Sequence, residues 1–267
     1  MMVAPFSTTA STNCISSDEP AKGQLGTRVT IEGTDLLGGF DGSDIVEVTL
    51  AGVEAVISEN NDTHVVVVVK NGTGSGDIVI TSNTGAQAVR ESGWSFLTLG
   101  EISNINPAVG QGGSRVTVTG SNLLGGGSKV YRITFADVEA SVVSESDDAI
   151  VVDVAHTNND EDLTGEVLIE SDTGALVKLN DSWTYAVPGR IDQVVPAAGQ
   201  LGTSVTINGT SLRGQGAEIV KVTLAGTEVT IEAESDTEIE LTVVHADAAS
   251  GRAKRYTGKR KEVRGAD

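Results

Sequence analysis

The feature that most constrains this sequence is an internal repeat of about 87 residues. Three segments, starting at positions 14, 101 and 190, align as "CISSDEPAKGQLGTRVTIEGTDLLGG", "EISNINPAVGQGGSRVTVTGSNLLGG" and "RIDQVVPAAGQLGTSVTINGTSLRGQ". Their prolines and glutamines keep the same offsets: Pro20, Pro107 and Pro196, then Gln24, Gln111 and Gln200. A fixed period of this length predicts tandem copies of one domain.

Each copy reads as a series of short strands. Segments such as "IVEVTLAGVEAVISENNDTHVVVVVK" alternate apolar and polar residues, which buries one face of a strand. With 32 glycines to form turns, roughly seven such strands predict an all-β fold, a two-sheet sandwich of immunoglobulin type. In the first copy we expect strands near Ile15 and over 27–32, 45–51, 54–58, 64–70, 77–81 and 94–98. The predicted inward side chains are Val29, Ile31, Val46, Val48, Val66, Val68, Ile78, Ile80 and Trp94.

A motif set runs through the copies: "I…P…G…G…VTI.G..L", then "V.LAG", "V.I.S..G" and a terminal "W.Y". Over residues 14–251 this pattern resembles the IPT/TIG family of immunoglobulin-like domains, and the resemblance implies the sandwich fold. Such domains occur in cell-surface receptors, microbial surface proteins, accessory modules of polysaccharide-acting enzymes and some transcription factors. The resemblance therefore leaves function open.

The third copy is unfinished. The first two copies close with "GDIVITSNTGAQAVRESGWSF" and "GEVLIESDTGALVKLNDSWTY", whereas the third continues from Gly251 as "RAKRYTGKRKEVRGAD". The sequence thus predicts three tandem sandwiches, the third lacking its last two strands. The predicted boundaries are 1–13 for an N-terminal extension, 14–99, 100–188 and 189–251 for the three IPT/TIG-like domains, and 252–267 for a basic tail.

Three explanations for the unfinished copy stay open at this point. The sequence is a fragment, or its true closing segment has been replaced. Alternatively, a strand from another molecule completes the domain, as in donor-strand complementation, with residues 1–13 as the candidate donor. In the third explanation the tail is a disordered basic extension.

Charge argues against a nucleic-acid function. Residues 250–267 carry seven Lys or Arg against Glu262 and Asp267, but the rest of the chain has 11 basic and 35 acidic residues, a charge of −24. Such a surface repels phosphate backbones and anionic lipid headgroups. No apolar run approaches the roughly 20 residues of a membrane span. The start of the sequence shows no signal peptide, so either that secretion route is not used or the N-terminus is incomplete.

Candidate catalytic and metal-binding residues are few. His156 and His245 occupy equivalent slots in different copies, so they cannot converge on one site, and we expect a structural or surface role for all three histidines, His64 included. Cys14 lacks an activating neighbour and has no second cysteine to pair with. The acidic loops 41–44 and 158–162 lack the spacing of a calcium loop. We predict a protein that is not an enzyme, with no catalytic, cofactor or metal site.

The expected function is structural or adhesive. The chain is predicted to be an extracellular or cell-surface protein that associates with itself head to tail, as a filament subunit with strand complementation, or that contacts other surface proteins. The alternative is an accessory module that binds carbohydrate or protein. Candidate N-glycosylation sites with the N-x-S/T pattern are Asn61, Asn71, Asn180 and Asn208.

Overall fold

The chain forms three consecutive β-sandwiches. The structure, a computed structural model, describes residues 14–39, 41–243 and 253–256, and these residues contain no helix. The first domain contains β1 (Cys14–Glu19), β2 (Lys22–Gly23), β3 (Arg28–Thr34), β4 (Ile45–Leu50), β5 (Val53–Glu54), β6 (Val56–Asn60), β7 (His64–Val68), β8 (Ser75–Ser82) and β9 (Gln87–Phe96). The second contains β10 (Glu101–Asn106), β11 (Val109–Gly110), β12 (Arg115–Ser121), β13 (Val130–Phe135), β14 (Val138–Glu139), β15 (Ser141–Glu145), β16 (Ala149–Asp153), β17 (Leu163–Ser171) and β18 (Leu176–Tyr185). The third contains β19 (Arg190–Val195), β20 (Ser204–Thr210), β21 (Lys221–Leu224), β22 (Thr227–Glu234), β23 (Glu238–Thr242) and β24 (Ala253–Tyr256).

The first two domains share one topology. A four-stranded sheet of order β1-β3-β7-β6 faces a five-stranded sheet of order β2-β9-β8-β4-β5, and the second domain repeats this as β10-β12-β16-β15 and β11-β18-β17-β13-β14. Pairing is antiparallel except where β2 meets β9 and β11 meets β18. The predicted all-β architecture of tandem immunoglobulin-like sandwiches is therefore confirmed.

A tryptophan on the last strand lies at the centre of each complete core. Trp94 and Trp183 are 1% and 0% exposed. Trp183 packs edge-on against Phe135 and Tyr185, with ring centroids 5.3 and 5.4 Å apart. Since an aromatic side chain buries more apolar surface than any aliphatic one, each closing strand contributes a large part of its domain's stability.

Three of the predicted inward side chains in the first domain are not buried. Val46 is 57% exposed because a bulge between Ile45 and Glu47 turns it outward. Val66 and Val68 are only partly buried, and the buried positions are Val65, Val67 and Val69. A run of five consecutive valines contains no alternation, so the sequence could not set the phase of this strand. The other predicted inward residues are buried.

The third domain is shorter than the others, as predicted. Its described strands form one continuous series, β19-β20-β23-β22-β21-β24. The long strand β22 pairs with both β21 and β23, whereas the first two domains interrupt the chain at Ala55 and Ala140. The third domain has the β-branched Val229 at that position, which favours an uninterrupted strand.

The tail contributes one short strand to this domain. Ala253–Tyr256 pairs antiparallel with Lys221–Leu224, in the position that β8 and β17 hold in the other domains. Backbone hydrogen bonds suffice for such pairing, which is why a basic segment predicted to form neither closing strand can supply part of one. A counterpart of the second closing strand is not among the described residues.

The phenol of Tyr185 gives a first testable prediction. Its hydroxyl is buried without a hydrogen-bond partner among the described residues, and burial raises the pKa of Tyr185 to about 12. The first domain has Phe96 at the corresponding position. Tyr185→Phe should therefore be neutral, or stabilise the second domain by about 1 kcal/mol, at neutral pH.

The same substitution should change the pH dependence of stability. The phenol of the unfolded chain ionises near pH 10 and that of the folded chain near pH 12, so stability falls as pH rises through this window. Urea unfolding at pH 8 and pH 11, followed by circular dichroism, should show a smaller alkaline loss in Tyr185→Phe than in the native chain. Tyr131→Phe, at an exposed position, is the control. Equal losses in native chain and Tyr185→Phe would contradict the assignment.

Candidate functional site at the domain junctions

A buried glutamine anchors each linker between domains. Gln24 is 1% exposed, and its Oε1 accepts a hydrogen bond from the Gly100 amide at 2.6 Å. Gln111 is 9% exposed, and its Nε2 donates to the Val187 carbonyl at 2.7 Å. Both bonds span 76 residues, so the same slot in each domain holds the same point of the following linker.

The third glutamine of the repeat has a different environment. The Gln200 backbone amide keeps the turn contact of its counterparts, donating to Thr203 Oγ1 at 2.9 Å. Its side chain, however, is exposed, and no hydrogen bond of its amide group is present among the described residues. The third domain therefore has a glutamine at the same position of the repeat, but the side chain of this glutamine faces solvent.

The first junction also carries direct contacts between domains. The Leu25–Arg28 turn of the first domain lies against the hairpin turn between β17 and β18. The Arg28 amide donates to the Thr173 carbonyl at 2.8 Å, and the Leu176 amide donates to the Leu25 carbonyl at 2.9 Å. These paired backbone bonds resemble a short strand addition across the junction.

Side chains extend the first junction. Gln24 Nε2 donates to the Leu176 carbonyl at 3.3 Å, so one glutamine holds both the linker and the hairpin. The Arg28 guanidinium lies 3.5 Å from a Glu170 carboxylate oxygen. Because Arg28 is 65% exposed, this ion pair contributes little to stability and mainly orients the turn.

Glycines allow this close approach. A Cβ atom on Gly26 would lie 2.6 Å from the Leu176 side chain and 2.7 Å from the Gly174 carbonyl oxygen. Gly125 of the second domain similarly faces the Gln24 side chain. The junction thus depends on backbone surfaces that only glycine leaves open.

The second junction contains a cleft of about 200 Å³. Its lining residues come from the segment between β10 and the start of β12, which includes β11, and from the loop before β21: Pro107, Val109, Gly110, Gly113, Ser114, Arg115, Arg213, Gly214, Gln215 and Gly216.

Two ion pairs flank the cleft. Arg115 binds both carboxylate oxygens of Asp153 at 2.9 and 3.1 Å, and Arg213 binds those of Glu234 at 2.9 and 3.0 Å. Hydrogen bonding to these carboxylates raises the pKa of both arginines, so both remain charged. The cleft walls are therefore polar and fixed in position by bidentate pairs.

The histidines considered from the sequence are dispersed. His64 Nδ1 lies 2.8 Å from Glu32 Oε1 on the neighbouring strand, and His156 covers Gly112 beside the second junction. His245 lies outside the described residues. Cys14 is exposed at the start of β1. Within 14–39 and 41–243, no group of three or more potential metal-binding side chains comes together.

The four candidate glycosylation sites differ in accessibility. Asn61, Asn71 and Asn180 are exposed. Asn208 is half-buried on β20, which is paired with a neighbouring strand on each side. Glycosylation remains a prediction at all four, with the first three better placed for it.

Sequence reasoning did not identify the junction glutamines as functional, although a signal was present. Gln24, Gln111 and Gln200 keep one offset in all three copies, and a polar residue repeated among apolar strands indicates a specific hydrogen-bonding role. The direct contacts across the first junction had no sequence signal, because they use backbone groups.

No helix in the described part of the chain has the length and hydropathy to cross a membrane.

The fold resembles several solved structures of multidomain proteins. The extracellular region of plexin A4, domains 1 to 10, shares 21% identity over 91% of this chain and 22% of that chain, with a TM-score of 0.46. A Bacteroides ovatus protein, SGBP-B in complex with a mixed-linkage heptasaccharide, shares 18% identity over 94% of this chain and 64% of its own, with a TM-score of 0.28. The I9–I11 tandem of titin shares 11% identity over 84% and 86%, with a TM-score of 0.31.

This chain spans less than a third of either plexin A4 structure that it matches. No curated protein sequence matches it. The family model described as "IPT/TIG domain" matches three consecutive segments, residues 14–96, 101–184 and 190–256. The segments coincide with the three sandwiches, and the chain belongs to the IPT/TIG domain family.

Proposed function

We propose that this chain is a non-enzymatic structural and adhesion module of an extracellular or cell-surface protein. In this role it holds three sandwiches in a semi-rigid row and presents their surfaces to partners. The three exposed N-x-S/T asparagines, Asn61, Asn71 and Asn180, suit such a location and would carry glycans there. The strongly acidic surface keeps the row soluble and repels anionic surfaces.

The observation that carries this proposal is the repeated glutamine anchor. Domains joined by a free linker move independently unless an interface restrains them. Here Gln24 and Gln111 each use a buried amide to hold the following linker, so the spacing of successive domains is built into the repeat. A chain that uses a glutamine at the same position of each repeat to fix its domain junctions is suited to holding its domains in place under load.

Removing one anchor should loosen one junction. Gln111→Ala leaves the Val187 carbonyl without its partner and should cost about 1–2 kcal/mol at the second junction. Small-angle scattering of the full chain should show a broader distribution of maximum dimension. Gln200→Ala is the matched control, because its side chain is exposed, and should leave scattering and unfolding unchanged. Identical profiles for native chain and Gln111→Ala would contradict the proposed role.

We further propose that the chain associates with itself head to tail through the third domain. In the described residues, the buried apolar cluster of this domain has 9 members, against 15 and 17 in the first two. The difference includes the tryptophan of the closing strand. A strand from a neighbouring molecule in the position of β9 and β18 would supply the missing surface, and residues 1–13, which lie outside the described residues, are the proposed donor.

Sedimentation velocity across a range of concentrations tests this association. The native chain should form larger species as concentration rises, with filaments visible by negative-stain microscopy. Deletion of residues 2–13 should give monomers only. An excess of a synthetic peptide of residues 2–13 should cap the native chain and shorten the assemblies. A native chain that stays monomeric at every concentration would contradict head-to-tail association.

The alternative function is an accessory module that binds carbohydrate. The observation that favours it is Tyr131, an aromatic ring on β13 that is 70% exposed. Exposed aromatic rings form stacking platforms, with the phenol available as a hydrogen-bond partner.

A glycan array tests this alternative. If the chain binds a glycan through Tyr131, Tyr131→Ala should reduce binding by about tenfold or more, since a buried aromatic contact contributes on the order of 1–2 kcal/mol. Val143→Ala, at an exposed apolar position on β15, is the control and should retain binding. Absence of binding, or equal binding by both variants, would exclude Tyr131 as a sugar platform.

A further inference from the structure

The first and third domains each carry one half of the first junction, without its counterpart among the described residues. We propose that the 201–204 turn of one molecule docks on the 84–87 turn of a second copy. The contact would repeat the one between the 25–28 and 173–176 turns inside the chain. This proposal rests on the head-to-tail association proposed above, names a contact surface for it, and uses only described residues.

The 201–204 turn is built like the 25–28 turn. In both, a glycine amide donates to the carbonyl of the valine that follows the neighbouring strand, at 2.9 Å in the first domain and 2.8 Å in the third. The two glycines, Gly26 and Gly202, have φ values of 88° and 80°. Arg28 and its counterpart Ser204 take the same register against that strand. The backbone groups that dock at the first junction are therefore presented in the same way by the third domain.

This turn is uncovered in the third domain. Leu201 is 64% exposed, whereas its counterpart Leu25 is 39% exposed. A Cβ on Gly202 would meet nothing within 4 Å, but one on Gly26 would lie 2.6 Å from the Leu176 side chain. The Leu25 carbonyl accepts a hydrogen bond from the Leu176 amide, whereas the Leu201 carbonyl accepts none among the described residues. A surface that is covered in one copy of the repeat is thus open in another.

The 84–87 turn of the first domain is built like the 173–176 turn. A serine and a threonine hydroxyl share a hydrogen bond in each, at 2.8 Å in the first domain and 2.9 Å in the second. Gly85 and Gly174 have φ values of 83° and 84°. A Cβ on Gly174 would lie 3.0 Å from the Gly26 carbonyl oxygen, whereas one on Gly85 would meet nothing within 4 Å. The first domain therefore presents a turn of the docking shape to solvent.

The charged pair of the first junction is replaced in both halves of the proposed contact. At the first junction the Arg28 guanidinium lies 3.5 Å from a Glu170 carboxylate oxygen. The repeat places Ser204 at the position of Arg28 and Thr81 at that of Glu170. Two hydroxyl groups can each donate to and accept from the other, so docking would leave no charge of this pair without a partner.

A second copy, and not the same chain, offers each half its counterpart. At the first junction the turn of a domain faces the domain that follows it, and the hairpin turn faces the domain that precedes it. The 201–204 turn and the 84–87 turn therefore both face away from the second domain. The contact is small and weak by itself, whereas the linker at the first junction keeps the two turns at a high effective concentration.

Intermolecular disulfide trapping tests the contact, because it records weak encounters. At the first junction the Leu176 amide donates to the Leu25 carbonyl at 2.9 Å, so their counterparts Gln87 and Leu201 would lie side by side. One chain therefore carries Gln87→Cys and the other carries Leu201→Cys. Both chains also carry Cys14→Ser.

Residues 2–13 are deleted from both chains, which removes the proposed donor strand, so trapping reports on the turns alone. Mild oxidation of an equimolar mixture should give at least about fivefold more mixed dimer than a control mixture, because docking raises the local concentration of the two thiols. In the control, Glu232→Cys, at an exposed position of the third domain, replaces Leu201→Cys.

Two substitutions at Ser204 keep the test decisive if a cysteine perturbs its turn. Ser204→Arg introduces the residue that the first domain has at this position, and the guanidinium would approach Glu47, which pairs with Thr81. Ser204→Glu would bring two carboxylates together. The first should raise the yield of mixed dimer about twofold and the second should lower it by a similar factor, with unchanged circular dichroism.

Equal yields of mixed dimer from the Leu201→Cys and Glu232→Cys mixtures would overturn the proposal. Dimers formed mainly by the Leu201→Cys chain with itself would also overturn it, because they would assign the turn to a symmetric contact. A chain that does not exchange strands would still give the mixed dimer, since residues 2–13 are already deleted. Turn docking and strand complementation can therefore fail separately.

Discussion

The arrangement of this protein depends on one hydrogen-bonding requirement: a buried side-chain amide and a linker backbone satisfy each other. A primary amide out of water costs free energy unless it is hydrogen-bonded, and so does a linker carbonyl or amide pressed against a domain. Gln24 and Gln111 meet both needs at once. Because the anchor fixes where the linker leaves one domain, it also fixes where the next domain begins, and only then can loops meet across the junction.

Closure of each sandwich is the second constraint. In the complete domains the last strand carries the tryptophan around which both sheets pack, and the same strand leads into the anchored linker. The last strand of each complete domain therefore contributes both to the stability of the core and to the orientation of the next domain. In the third domain the described residues include the short β24 but no strand at the position that β9 and β18 hold in the other domains.

Much of the fold follows from the sequence because the repeat tests every inference three times. The period, the strand alternation and the shortened third copy all express apolar burial, which a single sequence records directly. The sequence could not predict which residues of Val65–Val69 face the core, because five identical residues show no alternation. The exposure of Val46 was also not predicted, because it follows from a bulge in the strand pairing. The Arg28–Thr173 and Leu25–Leu176 bonds were beyond prediction, since backbone groups leave no trace in residue identity. The glutamines were visible, but their function needed the linker geometry.

Native-state hydrogen exchange of the Gly100 amide tests the central claim most directly. This amide lies in the linker outside any strand, and its hydrogen-bond acceptor is Gln24 Oε1. If the glutamine anchors the linker, the Gly100 amide in the full chain should exchange as slowly as the adjoining strand residues of β10, because exchange then requires opening of the junction. Exchange at the rate of an unstructured linker peptide would contradict the account.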